Sequence, residues 1–205
     1  MNVKRLSAAN FSTSAWPGGS TCELYLYPAS GSYAKRDFLF RLSSAVVAQD
    51  GAPFTPLPGV RRGLMLLEGQ LALEQPGAGR MELERFTPVW FSGGAAVRSF
   101  GQGRDFNLML RGDVRGQLSY IHLKGGEERR LAAPFFGAGR HWKAVYPVQG
   151  GVSVHAAGAC IPLEPGQMAL LWGEGTLEAG VSNPGSPGAG LAMADLFLPE
   201  GAGPA

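Results

Sequence analysis

The sequence is poor in cysteine and histidine, the residues on which disulfide-stabilised and many metal-binding proteins depend. It contains two cysteines and three histidines among 205 residues. Cys22 and Cys160 fit no metal-binding or redox spacing, so we expect two reduced thiols in a cytoplasmic protein, with a disulfide between them as the alternative. The sequence also has no Gly-x-Ser-x-Gly elbow and no phosphate-binding loop, which argues against two common kinds of catalytic site.

Long apolar runs and a strong net charge are absent as well. Residues 1–16 contain no apolar run of signal-peptide length, and no stretch approaches the roughly 20 apolar residues of a membrane span. The formal net charge of +2 is too small to predict a nucleic-acid surface. We therefore expect a soluble, cytoplasmic protein with neither a nucleic-acid nor a membrane partner.

The charge is nevertheless uneven along the chain. No lysine or arginine follows Lys143, whereas acidic residues continue as far as Glu200. A basic N-terminal part suits an anionic small ligand. A random asymmetry of the solvated surface explains the same distribution equally well.

Glycine and proline are abundant instead. The 31 glycines and 15 prolines are dispersed along the chain, which favours many short strands over long helices. Hydrophobic residues make up 45% of the sequence, enough for a core. About a dozen short strands without a convincing amphipathic helix predict an all-β protein, either a sandwich or a barrel-like roll.

The most informative stretch is residues 105–111, Asp-Phe-Asn-Leu-Met-Leu-Arg. A strand with this alternation turns Phe106, Leu108 and Leu110 to one face. Its other face carries Asp105, Asn107, Met109 and Arg111. An acid, an amide and a guanidinium in one row are unusual unless that face lines something polar.

Similar patterns predict several other elements. Residues 21–28 and 37–47 read as two strands, and residues 61–69 as part of a hairpin with residues 70–74. The proline-rich residues 52–59 are expected to form a rigid loop, because proline lacks the donor that a central strand needs.

The strand pattern suggests two rolls in tandem. Residues 163–170 have the turn-then-strand form of a β-roll, and the strands over residues 61–111 share that character. A break near residues 112–126 would separate the two rolls. We therefore expect an N-terminal barrel over residues 1–120, a C-terminal barrel over residues 121–198 and a frayed tail over residues 199–205.

Several of these segments occur together in one known family. They are residues 38–43, residues 51–59 with Arg62, residues 66–69 and residues 103–111, preceded by Trp16, Gly18, Gly19 and residues 21–24. In combination they resemble the HutD/Ves family of bicupins. The resemblance extends over approximately residues 10–195, and the segment around Asn107 is its most specific part.

The resemblance implies two tandem cupin barrels, that is, double-stranded β-helices. It also implies a role beside histidine catabolism, with urocanate or a formimino- or formyl-glutamate as ligand. The sequence departs from the family pattern at Cys22, where arginine is common, and at Gly93-Gly94, where a Gly-Asp pair is usual. The spacing from Trp16 to the glycines that follow is also shorter.

Many cupins are metal enzymes, so a metal-dependent isomerase or oxygenase is the first alternative function. Such sites need two or three imidazoles, often in a His-x-His pair, and a carboxylate. His122, His141 and His155 form no such pair, although His122 and His155 could meet in space. We therefore expect no metal and no cofactor, and we assign no catalytic residue.

Binding without catalysis fits the remaining polar residues best. Arginine suits the bidentate capture of a carboxylate, and three arginines lie on or beside predicted strands. An acid and an amide could hold ligand nitrogens, and a phenylalanine in the proline-rich loop could cover a planar ligand. The predicted ligand-binding residues are Glu23, Arg41, Phe54, Arg62, Asn107 and Arg111. Each arginine could instead form an internal pair, for example Arg111 with Asp105 or Glu23.

We therefore predict an all-β bicupin that binds a small anionic metabolite, does not turn it over, and signals its level through a partner. The central hypothesis is that the three predicted arginines converge on one cavity. A purely structural, oligomerising bicupin is a further alternative, and the sequence leaves a homodimer open.

Overall fold

The described structure is built from antiparallel strands, with one 3-10 turn at Ala8–Asn10. The computed structural model describes residues 1–132, 134–135, 137–185 and 187–201. Most of the predicted tail, residues 202–205, therefore lies outside the described residues. The all-β prediction is confirmed. No helix in the described part of the chain is long and apolar enough to cross a membrane.

The strands are joined by turns that often contain a glycine with positive φ, a conformation that glycine adopts without steric cost. In chain order they are β1 (Asn2–Leu6), β2 (Ser12–Trp16), β3 (Gly19–Tyr27), β4 (Phe40–Val47), β5 (Ala52–Pro53), β6 (Val60–Gln75), β7 (Gly79–Glu82), β8 (Pro88–Ser92), β9 (Arg98–Arg111), β10 (Arg115–Leu123), β11 (Glu128–Leu131), β12 (Gly139–Gln149), β13 (Val152–Ala156), β14 (Ala159–Leu163), β15 (Met168–Glu174), β16 (Ala179–Ser182) and β17 (Ala189–Pro199).

The chain divides into two compact units. The first unit includes Phe11–Gly112 and contains β2 to β9. The second unit combines Met1–Asn10 with the described residues between 113 and 201, and contains β1 and β10 to β17. This division differs from the predicted boundary between residues 120 and 121, because β10 pairs with β17 along its whole length and β1 pairs with β15. The pattern within one strand does not indicate which distant strand it will pair with.

The first unit is one antiparallel sheet in the order β2-β3-β4-β9-β6-β7, with β5 paired to β9 and β8 paired to β6. β6 and β9 have 16 and 14 residues and pair with each other over most of that length. Two apolar clusters are buried in this unit, one around Leu64 and Leu66 and one around Leu26 and Phe38.

The predicted hairpin within residues 61–74 is wrong. These residues belong to the single strand β6, which pairs with β9 throughout and has a β-bulge at Leu67. Gly69 does have a positive φ of +80°, but it lies opposite Gly103 inside the sheet. A Cβ at this position would lie 2.3 Å from the Gln102 carbonyl oxygen. The glycine therefore permits a close approach of two strands and not a chain reversal.

The proline-rich segment of residues 52–59 is a loop except for its first two residues. Ala52–Pro53 form β5, which pairs with Ser99 and Arg98 of β9. A two-residue strand tolerates proline because few ladder hydrogen bonds depend on it.

The second unit contains two antiparallel sheets, in the orders β1-β15-β12-β17-β10 and β11-β16-β13-β14. One buried apolar cluster draws on both sheets and includes Val145, Leu171 and Leu191 from the first and Val154 and Val181 from the second. Short antiparallel strands packed in this way form the barrel-like roll that the glycine and proline content predicts.

We expect Gly69→Ala to lower the free energy of unfolding by at least about 1 kcal/mol more than Gly77→Ala does. The two glycines have φ values of +80° and +82°, so both substitutions place a side chain in the left-handed region, at a cost of about 1–2 kcal/mol. Only the Cβ at Gly69 meets backbone; at Gly77 nothing lies within 4 Å. Urea denaturation measures the difference, and equal losses would contradict a steric role for Gly69.

Candidate functional site

A cavity of about 200 Å³ lies in the first unit, lined by residues of β2, β3, β4, β6 and β9 and of the loops after β3 and β5. Its polar wall is formed by β4 and β9, whose register sets Ser43 opposite Asn107 and Ala45 opposite Asp105. Arg41 lies in the same row, because alternate side chains of a strand share a face. The structure therefore places the acid and the amide of residues 105–111 on a polar cavity.

Arg62 brings a buried cation to this cavity from β6. It is 7% exposed, and its guanidinium carbon lies 4.7 Å from the centre of the Phe54 ring and 5.4 Å from that of Phe91. Burial lowers the pKa of Arg62, but arginine keeps its proton in proteins. Within the described residues its Nε has no hydrogen-bond partner, and no carboxylate lies within the 4.0 Å of a salt bridge. Its charge is therefore not matched by an internal ion pair.

Arg41 differs from Arg62 because it already has a counter-ion. Its Nε donates a hydrogen bond to Glu23 Oε2 at 2.6 Å. Its guanidinium carbon lies 4.2 Å from the centre of the Tyr33 ring, in a cation–π contact with the loop between β3 and β4. Arg41 and Glu23 thus add little net charge to the cavity.

Asp105 is a buried acid on the cavity wall, with 1% of its surface exposed. Its Oδ1 accepts hydrogen bonds from the Ala45 backbone N–H at 3.0 Å and from Asn107 Nδ2. Burial raises the pKa of the Asp105 carboxyl to about 7, and the Ala45 hydrogen bond and the Arg62 charge oppose this rise only in part. The carboxyl therefore changes its charge near neutral pH.

Three buried polar atoms of the cavity residues have no hydrogen-bond partner among the described residues. They are Trp16 Nε1, Arg62 Nε and Asn107 Oδ1. Unpartnered buried polar groups are rare in folded proteins because each costs free energy. The three atoms belong to residues that line one cavity, so buried polar groups without a partner in the described structure are concentrated there.

The structure brings together four of the six residues predicted from the sequence. Arg41, Phe54, Arg62 and Asn107 line the cavity. Glu23 does not line it, but pairs with Arg41.

Arg111 lies elsewhere, so the predicted convergence of three arginines is wrong for one of them. It lines a surface groove with Lys35 and Arg36, and it donates a hydrogen bond to the Arg36 carbonyl oxygen. The physical reason is distance along β9, because a strand advances about 3.3 Å per residue and Arg111 follows Asn107 by four residues.

Sequence reasoning did not assign the other eleven lining residues of the cavity to the ligand site, among them Asp105, Met109, Trp16 and Tyr33. Asp105 and Met109 share a strand face with Asn107, so the two-residue period of β9 was a sufficient signal for them. Trp16 and Tyr33 come from other segments of the chain, and no pattern in the sequence connects them to β9.

The second unit neutralises its own buried cation. Lys143 of β12 lies opposite Asp195 of β17, and the two side chains form a buried ion pair. Lys143 Nζ also donates a hydrogen bond to the Ala132 carbonyl oxygen at 2.7 Å. The cavity beside this pair is about 10 Å³, no more than about one water needs. At this ion pair the second unit therefore has no room for a metabolite.

The three histidines lie on different strands. His155 Nε2 lies 2.8 Å from Ser182 Oγ, and the His141 ring packs on Phe197 with 4.7 Å between ring centres. His122 is exposed. Among the residues that the structure describes, no three His, Cys, Asp or Glu side chains are grouped so that they could hold a metal ion.

The two rolls define the chain as a bicupin. The bacterial pirin YhhW from Escherichia coli matches it with a TM-score of 0.70 at 9% identity, over 97% of this chain and 98% of that chain. At such identity the likeness shows the fold alone.

The chain belongs to the HutD family, whose model matches residues 8–186. Protein Ves from Cronobacter sakazakii is 41% identical over 100 residues, which are 46% of this chain and 52% of Ves, so the match spans about half of that relative. HutD from Pseudomonas fluorescens SBW25 matches with a TM-score of 0.72 at 21% identity, over 96% of this chain and 100% of that chain. A conserved protein of unknown function from Pseudomonas aeruginosa PAO1 matches with a TM-score of 0.80 at 24% identity, over 97% and 100%. The resemblance to the HutD/Ves family is confirmed.

We expect the free energy of unfolding to fall as pH rises from about 4 to about 7, and Asp105→Asn to remove this contribution. The folded pKa of about 7 lies above the ordinary value of 3.8, so in this window the folded protein holds a proton that the unfolded chain has released. The stabilisation is fully present below about pH 4 and is lost by about pH 7, and it amounts to roughly 4 kcal/mol.

Urea denaturation of the wild type and of Asp105→Asn at about pH 5 and about pH 8 measures this dependence. The control is Asp113→Asn, which removes a carboxylate from an exposed turn. Identical pH profiles for the two variants would show that Asp105 ionises as a surface acid does.

Proposed function

We propose that this protein binds a small anionic metabolite in the cavity of its first unit and does not convert it chemically. The observation that carries the proposal is Arg62, a buried guanidinium without a carboxylate partner in the described residues. A buried charge without a counter-ion is costly, whereas the same charge next to an anion contributes to binding. An anionic ligand is therefore the partner that Arg62 needs.

The unpartnered atoms support a ligand that has a carboxylate and an N–H group. Arg62 Nε and Trp16 Nε1 are donors, which match the acceptor oxygens of a carboxylate. Asn107 Oδ1 is an acceptor, which matches an amide, formimino or imidazole N–H. The Phe54 ring on the same cavity offers an apolar surface for a planar part of the ligand.

The size of the cavity limits the ligand further. Its volume of about 200 Å³ lies below the range of roughly 300–1,000 Å³ that drug-sized ligands occupy. A metabolite of the size of urocanate or an N-substituted glutamate is the upper limit that we propose.

The biological role follows from the family and from the chemistry of binding. We propose that the ligand is an intermediate of histidine utilisation, namely urocanate, formimino-glutamate or formyl-glutamate. Occupancy of the cavity would stabilise the folded first unit and so report the metabolite level to a partner protein in the cytoplasm. A sensor of this kind needs reversible binding and no chemical step.

We expect these three metabolites, tested singly, to include at least one that raises the melting temperature of the wild type by several degrees. A ligand at a hundredfold excess over its Kd stabilises the folded state by about 2.7 kcal/mol. Arg62→Met should abolish the shift, because methionine keeps apolar contact with Phe54 but cannot donate to an anion. Differential scanning fluorimetry at constant ionic strength measures the shift.

The matched control is Arg111→Met, which removes the same charge from outside the cavity. It should keep the full ligand-dependent shift. A shift that is lost in Arg111→Met and kept in Arg62→Met would refute the proposed site, and no shift with any of the metabolites would favour the structural alternative.

A further inference from the structure

The two oxygens of the Asp105 carboxyl differ in their hydrogen bonds to the described residues. Oδ1 accepts both of its hydrogen bonds, from the Ala45 backbone and from the Asn107 side chain. No hydrogen bond reaches Oδ2 from any described residue. Because Asp105 lines the cavity, Oδ2 is the atom that a bound molecule would meet.

Four other charged or titratable groups act on Asp105 or line its cavity. Arg41 on β4 is paired with Glu23, and Arg104 on β9 is paired with Glu68. Arg62 on β6 has no ion-pair partner, and its nitrogens lie more than 4.0 Å from the Asp105 carboxylate. Tyr33 reaches the cavity from the loop between β3 and β4.

Asp105 and Arg62 are thus two buried groups that line one cavity without touching each other. If both were charged, each would lack a direct partner in a site shielded from water. Burying an acid in this position costs less free energy when the acid is neutral, in agreement with the raised pKa of Asp105. A neutral carboxyl has an O–H group, and the free oxygen Oδ2 is the one that can carry it.

We infer that Asp105 selects for a carboxylate in the ligand, by holding a proton on Oδ2 and donating it in a hydrogen bond to a carboxylate oxygen that Arg62 also contacts. This inference rests on the proposed function and adds to it a residue, Asp105, and the proton through which that residue binds the ligand carboxylate. The proton comes from solvent when Asp105 is ionised beforehand, so binding above neutral pH takes up one proton. No covalent bond forms or breaks in the ligand.

An amine is the alternative partner for Asp105, and the cavity disfavours it. An ammonium group beside Oδ2 would share the cavity of about 200 Å³ with the unpaired charge of Arg62. Like charges repel strongly at short range in a poorly solvated site. A ligand carboxylate would instead lie between two donors, the Arg62 guanidinium and the Asp105 O–H group.

The test is isothermal titration calorimetry of the wild type with N-formyl-L-glutamate, in buffers of different ionisation enthalpy. The carboxylates of this probe do not titrate near neutral pH, so any proton exchange belongs to the protein. Acetate at high concentration is the second probe. We expect uptake of close to one proton at about pH 8 and much less at about pH 6, with an affinity that falls by up to tenfold per pH unit above about 7.

Asp105→Asn is the matched variant. An asparagine keeps an acceptor for Ala45 and Asn107 and presents a permanent N–H donor where the protonated acid has its O–H. It should bind the probe at about pH 8 at least as tightly as the wild type, without proton uptake and without the fall in affinity.

The outcomes separate this inference from the proposed function. Binding to the wild type without proton uptake, or with proton release, overturns the inference and leaves the proposed anion site standing. Weaker binding of Asp105→Asn at every pH, with a cooperative thermal transition that shows the variant to be folded, also overturns it. If neither probe binds to the wild type, the inference is overturned. The proposed function fails as well if urocanate and formimino-glutamate also leave the melting temperature of the wild type unchanged.

Discussion

The candidate site depends on the register between β4 and β9. That pairing sets Ser43 opposite Asn107 and Ala45 opposite Asp105, and so brings polar groups from two segments of the chain to one cavity. The period of a strand is two residues, so a shift of one position would turn Phe106 and its apolar neighbours into the cavity and the acid and amide away from it. The apolar face of β9 is also fully buried, so a one-residue shift would bury the acid and the amide among apolar side chains. The alternation of residues 105–111 therefore disfavours a shifted register.

Alternating residues and turn residues predict individual strands from the sequence. The pairing of strands that are distant in the chain could not be predicted in this way. The all-β class, β9 and four cavity residues follow from local patterns and from the resemblance to one family. The continuous strand β6 was predicted as a hairpin because a glycine is typical of a turn. In the structure Gly69 has the positive φ of a turn residue but lies inside the sheet, opposite Gly103 of β9. Arg111 was misplaced because it shares a face with Asn107 but lies too far along the strand to reach the cavity.

The arginines differ in what surrounds their charge, and this difference decides their proposed roles. Arg41 is held by Glu23 and packs on Tyr33, which suits a residue that shapes the cavity. Among the described residues, Arg62 has aromatic rings around it and no carboxylate within salt-bridge distance, and we propose that its charge serves a ligand. The second unit shows the opposite solution, because Asp195 of the chain itself supplies the anion for Lys143. In the described part of the chain, one buried cation therefore forms an ion pair with a carboxylate of the protein, and another has no carboxylate within salt-bridge distance.

We propose above all that an anion occupies the cavity between Arg62 and Asn107. A crystal structure of the protein with formyl-glutamate tests it most directly. We expect density for a carboxylate within hydrogen-bond distance of Arg62 Nε and an N–H of the ligand facing Asn107 Oδ1. A ligand bound only in the surface groove of Arg111, with the cavity holding ordered water that satisfies Arg62, would contradict it.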